Sequence, residues 1–201
     1  MSQVHVFYTT SAGSNGTLGA LFMPEEAMVR TDVSVAPRST VGLFRATLET
    51  DKYEKVVRQT KALGTFNLPP AAHAPGTPMV SVGLTEDGQT TLMKSVPAGQ
   101  IPQEMEAVIE TLKALVNFTL DYPEHAVGAN AQWRDSSITP GADVCLPLTF
   151  QNVGSENVLL ANPAAAGSNS DVGIQLVLVW DGPARDAENV TFLDFAPGEV
   201  V

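Results

Sequence analysis

Three histidines, one cysteine and a late series of acids are the residues of this chain best suited to chemistry. His5, His73 and His125 stand far apart, and none lies three or four residues from another. No helical face can therefore grip zinc with a local histidine pair. A metal-dependent hydrolase would need His73 and His125 to converge in space, with Asp121 and Glu124 beside His125. The local sequence places His5 in a strand and the other two in loops, which favours three unrelated histidines over a site. Cys145 sits between Val144 and Leu146, with Asp143 close by. A nucleophilic thiolate needs a base and an electropositive setting. Here the setting is acidic and apolar, so a packed, inert thiol is expected. Serine catalysis has no foothold, because no Gly-x-Ser-x-Gly elbow occurs. The glycine-rich stretch 11–19 follows a strand, but Gly13, Gly16 and Gly19 do not have dinucleotide-fingerprint spacing and no Gly-Lys-Ser/Thr follows. A turn is the simpler reading. No cofactor is expected.

Asp171, Asp181, Asp186 and Glu188 fall in loop-like sequence. The segments 167–171 and 181–182 offer oxygen ligands of the kind calcium takes, without EF-hand spacing. Solvated loop acids are the simpler reading, and such acids can meet a basic protein surface. Trp133, flanked by Gln132 and Arg134, is a candidate aromatic anchor for a partner, as is Phe195. Trp180 ends the apolar run 174–179 and reads as core. Lys52, Lys55, Arg58 and Lys61 advance by three, a slowly drifting basic stripe that suits the wet side of a helix. Three Asn-x-Thr sequons begin at Asn15, Asn117 and Asn189. In a Thr-rich chain chance accounts for them, and Asn117 lies on an expected helix, a poor place for a glycan.

Charge is distributed unevenly. Of the 22 acids and 11 bases, residues 1–120 hold eleven acids and nine bases, a net of −2. Residues 121–201 hold eleven acids against Arg134 and Arg185, a net of −9. An acidic surface repels nucleic acid and anionic lipid and attracts basic protein. A single cysteine excludes an intramolecular disulfide and fits a reducing compartment. The opening residues lack the basic start and apolar run of a signal peptide. No stretch approaches the ~18 apolar residues of a membrane span. A cytoplasmic protein is expected, with a periplasmic one allowed if a leader was removed.

The elements that must hold these residues are legible in outline. Residues 4–8, 18–23, 27–35 and 41–48 read as strands. In 27–35, Met28, Arg30 and Asp32 alternate with Val29, Thr31, Val33 and Val35, giving one polar and one apolar face. From Asp51 to Leu63 the period becomes helical, with Asp51 and Glu54 resembling a capping arrangement and Gly64 at the stop. Residues 67–78, rich in proline, form a loop. Val80, Val82 and Leu84 lead to the hairpin signal Asp87-Gly88, and Leu92 and Val96 continue the return strand. Pro102 opens the strongest helix, whose inner stripe is Met105, Val108, Ile109, Leu112, Leu115 and Val116. Beyond Pro123 helical period disappears, and strands are expected at 129–134, 143–153, 158–161, 174–180 and 190–195.

The residues 140–154, with the ending Phe150-Gln151-Asn152-Val153-Gly154, resemble the opening of bacterial immunoglobulin-like sandwich domains. Ala196-Pro197-Gly198-Glu199 is similar to a late corner in the same group. That resemblance implies a sandwich and a tendency to bind proteins, and it carries over no catalytic residue. The expectation is thus an α+β chain. An antiparallel sheet with two helices would occupy 1–122, and an all-β immunoglobulin-like sandwich 123–201. The leading functional expectation is a non-catalytic protein-binding module, concretely a bacterial inhibitor or immunity protein. It would engage a basic partner through Trp133, Asp171, Asp181, Asp186 and Glu188. Neither nucleic acid nor membrane is an expected partner, and homo-oligomerisation is allowed. The alternatives are a structural component of a larger assembly, such as a virion or secretion apparatus, and the metal-dependent hydrolase.

Overall fold

The computed structural model describes residues 3–11, 17–32, 40–67, 74, 76–131, 148–161, 192–195 and 197. The chain divides into two units, Met1–Ala126 and Val127–Val201.

The first unit begins with four antiparallel strands in sequence order, β1 (Val4–Ser11), β2 (Thr17–Met23), β3 (Glu26–Thr31) and β4 (Thr40–Thr47). Helix α1 (Thr50–Ala62) follows and tightens into a 3₁₀ turn at Leu63–Thr65. The hairpin β5 (Met79–Glu86) and β6 (Gln89–Pro97) returns to the sheet, and β5 pairs with β1. Helix α2 (Gln103–Thr119) leads into β7 (Pro123–Ala131). The strand order is β6-β5-β1-β2-β3-β4-β7, so β1 lies inside the sheet although it comes first in sequence.

Alternation of side chains along each strand divides the sheet into two faces. Val6 and Tyr8, Ala20 and Phe22, Ala27 and Val29, Phe44 and Ala46, and Val80, Val82 and Leu84 are buried, and the registers put them on one face. Both helices cover that face. α2 contributes Met105, Val108, Ile109, Leu112, Leu115 and Val116, all buried as the 3.6-residue period predicts. α1 contributes less, chiefly Val56 and Thr60, with Leu63 closing the end. Each fully buried Leu or Ile contributes ~1.5–3 kcal/mol from desolvation, which makes α2 the main lid of the core.

Several local devices fix the frame. Asp87 and Gly88 both take positive φ, as the two-residue hairpin turn requires. Asp87 Oδ1 accepts from Gln3 N–H at 3.0 Å, and Asp87 N–H donates to Gln3 O at 3.0 Å. The helix caps differ from expectation. Glu49 is the N-cap of α1, and no side chain caps its amides. Asp51 stands in the first turn, where its negative charge complements the positive end of the helix dipole. Lys52 instead pairs with Glu49 at 3.0 Å.

β7 starts at Pro123, six residues before the expected strand. Proline is tolerated as the first strand residue, and the small residues around Ala126 hide the β-signal from a propensity reading. Gly42, at φ +139°, lets this strand approach β4: a Cβ there would lie 2.1 Å from the His125 carbonyl oxygen. His125 consequently belongs to a strand and not to a loop.

In the second unit the far half of β7 pairs with β8 (Leu148–Asn152), Val127 opposite Asn152 and Ala131 opposite Leu148. Strands β9 (Val158–Ala161) and β10 (Phe192–Phe195) form an antiparallel pair. The expected strand 143–153 is described only over β8, and residues 143–147 lie outside the described residues. The same is true of residues 132–134 of the expected strand 129–134 and of the expected strand 174–180.

Candidate interaction surface

Trp133, Asp171, Asp181, Asp186 and Glu188, with Cys145, His73 and Trp180, lie outside the described residues. Phe195 is the last residue of β10. The other flagged residues do not converge. His5 is half-buried in β1, and His125 is exposed in β7. Among the described residues no group of three His, Cys, Asp or Glu side chains is placed to hold a metal ion. Nor is any described helix long and apolar enough to cross a membrane. Asn117 is exposed on α2, but Thr119 of its sequon is fully buried and its hydroxyl donates to Leu115 O at 2.8 Å. The basic stripe of α1 is exposed as expected. Lys52 pairs with Glu49 and Lys61 with Glu86 at 3.2 Å.

What the structure gathers is the face of the sheet that neither described helix covers. Adjacent registers place Met93, Gly83, Phe7, Leu21, Met28 and Arg45 in one row across six strands. The Phe7 ring lies on Gly83, where a Cβ would come within 2.3 Å of it. An aromatic side chain thus shields the bare backbone of a glycine. Met93 is 60 % exposed, and Phe7, Leu21 and Met28 are half-buried. Met23 and Met79 stand on the same face by register, opposite Glu26 and Ser11. Every described methionine in a strand therefore lies on this face, while Met105 is in the core. Next to the apolar row runs a hydroxyl-rich one, in which Thr9 faces Ser81 and the Ser81 and Ser95 hydroxyls bond at 2.8 Å.

Charges on this face are paired. Arg45 contacts Glu26 Oε1 at 2.6 Å through one terminal nitrogen and Glu124 Oε2 at 3.0 Å through Nε. The hydrogen bond to Glu124, then the charge of Glu26, raise the Arg45 pKa further and keep its guanidinium cationic. This fork ties β3, β4 and β7 together. Arg30 lies 3.7 Å from Asp32. A smaller aromatic patch forms where α2 ends: Phe118 and Tyr122 are 5.2 Å apart, and Lys52 Nζ sits 5.6 Å from the Phe118 ring centre.

On the other face, Tyr8 is buried beneath the helices. Burial, with the Glu110 carboxylate adding to it, pushes its phenol up to about 12. In the second unit Asn152 is buried and serves a turn. Its Nδ2 donates to Glu156 O and its Oδ1 accepts from Gly154 N–H, both at 2.9 Å.

The methionine-bearing face was not singled out in the sequence, although a signal exists. Val6-Phe7-Tyr8 and Ala20-Leu21-Phe22 are apolar at consecutive positions, which marks strands with apolar side chains on both sides. The sequence matches no family model, and comparison with curated proteins and with solved structures found no match.

Proposed function

We propose that the protein is a non-catalytic binding module whose acidic second half captures a basic protein, with an inhibitor or immunity protein as its concrete form. One observation carries this reading: the second half has a net charge of −9 while the first 120 residues are nearly neutral. Such segregation speeds encounter with a cationic surface and selects against anionic ones, more than it deepens affinity. Trp133, Asp171, Asp181, Asp186 and Glu188 are the proposed contact residues, and an immunoglobulin-like sandwich is the proposed frame. The antiparallel pair of β9 and β10 is the described element that accords with that frame. A reducing, cytoplasmic setting accords with the single cysteine.

The test is affinity capture at low and high salt, with a variant carrying Asp171→Lys, Asp181→Lys, Asp186→Lys and Glu188→Lys. A basic partner should be held at low salt, released at high salt and lost by the variant. A partner held equally at both salt concentrations and by both proteins would overturn the reading. A second reading, a component of a larger assembly, is favoured by the sheet face that neither described helix covers, where the exposed Met93 stands in a row with the half-buried Phe7, Leu21 and Met28.

A further inference from the structure

We infer that helix α1 is a flap that opens as a unit while the sheet beneath α2 stays folded, so that the first unit has a built-in second conformation. The two helices divide the inner face of the sheet between them. α1 packs on β1 and β5, α2 packs on β3 and β4, and the helices touch each other. Their hold is unequal. α2 seats six apolar side chains in the core, from Met105 to Val116. α1 buries only Val56 and Thr60 along its length. Thr60 brings its hydroxyl oxygen and the adjacent Gln59 its Oε1, and both atoms are buried with no hydrogen-bond partner among the described residues. Water satisfies these oxygens when the helix lifts, so each of them favours the open form. A segment with few buried apolar side chains opens at lower free energy than the core it rests on.

The limits of the flap are set by the chain around it. Leu48 and Leu63 are buried on either side of α1, and Leu48 N–H stays bonded to Glu25 O. Between these anchors the N-terminal amides of the helix have no side-chain cap. Two polar ties hold α1 to the sheet: the Tyr53 hydroxyl donates to Val4 O, and Lys61 pairs with Glu86 at 3.2 Å. The second is an exposed ion pair, a kind that contributes little. Opening bares the inner side chains of β1 and β5, among them Val6, Val82 and Leu84, an apolar surface that the closed form hides. This motion needs no partner and is independent of the acidic half.

The test is amide hydrogen exchange of the full chain under native conditions, read residue by residue by NMR. In wild type the slowest amides of α1 should exchange ~100-fold faster than the slowest amides of α2. Val29, on β3 beneath α2, is fully buried and stays packed whether the flap is closed or open. Val29→Ala therefore weakens only the global fold. It should quicken α2 exchange ~10-fold and leave α1 exchange within ~2-fold of wild type. Phe44→Leu takes its place if that variant fails to fold. Thr60→Val removes the buried hydroxyl and should slow α1 exchange ~5-fold. Equal protection of the two helices in wild type overturns the inference. So does a Val29→Ala protein in which both helices quicken by the same factor, and so does a Thr60→Val protein whose α1 amides exchange as fast as before.

Discussion

Thr60 is fully buried on the inner side of α1, and among the described residues its hydroxyl oxygen has no hydrogen-bond partner. A buried hydroxyl without a partner costs ~1–3 kcal/mol relative to an apolar group of the same shape. Thr60→Val keeps the β-branch and removes the oxygen, so it should stabilise the fold by about 1 kcal/mol, read as a higher urea midpoint at unchanged m-value. A lower midpoint would show that the hydroxyl is satisfied. Tyr8 gives a pH prediction of opposite character. Its folded pKa of about 12 lies above the ordinary 10.0. The stability it contributes is complete below pH 10 and lost as pH rises toward 12, because the unfolded chain releases the proton first. Tyr8→Phe should therefore lose less stability than wild type across that alkaline window, measured by chemical denaturation at stepped pH. Equal losses in both proteins would exclude Tyr8 as a source of alkaline unfolding. Neither residue's role could be read from sequence. Val6-Phe7-Tyr8 announces a strand, but only the sheet register assigns Tyr8 to the covered face and Phe7 to the open one.

At the scale of elements, strong periods were legible and weak ones were not. The α2 stripe from Met105 to Val116 was readable because six apolar residues repeat at helical spacing, and all six are buried. The Asp87-Gly88 turn was readable because its residue types suit its dihedral angles. The α1 cap was not, since Asp51 and Glu54 suggest a box while the chain enters the helix at Thr50 behind Glu49. β7 was placed late because Pro123, Gly128 and three alanines depress its strand signal, and tertiary pairing overrides it. Its dependence on Gly42 is testable. In Gly42→Ala the new methyl meets backbone, which cannot swing aside as a side chain can, and φ is +139°. A loss of roughly 3 kcal/mol is expected, within the range for overpacking combined with an unfavourable backbone conformation. The loss should appear in thermal unfolding, with faster amide exchange along Pro123–Ala126. A near-neutral substitution would mean that β7 does not approach β4 as described. Glu25 shows the same economy of turns in reverse, because it holds φ +67° without being glycine while its carbonyl accepts from Leu48 N–H at 3.0 Å.

For the whole molecule, charge was the most legible property and the site the least. Counting residues divides the chain into a nearly neutral and an acidic part, whereas the methionine face exists only after six strands are set side by side in register. Long-range pairing is the information a linear reading lacks, and β1 illustrates it. Its partners on one side come from the very next strand, Val6 meeting Phe22 and Ser11 meeting Thr17, but on the other side Val4 meets Glu86 and Ser11 meets Met79. A ribosome adding ~5–20 residues per second leaves that second edge bare for roughly 4–15 s. An unpaired strand edge is a template for aggregation. Nascent chains arrested before β5 should pellet or bind chaperones, and chains extended past β6 should not. If both behave alike, the early hairpin guards its own edge. If the shorter chains alone pellet, the hazardous interval for this molecule lies not in the finished fold but in the seconds of its synthesis.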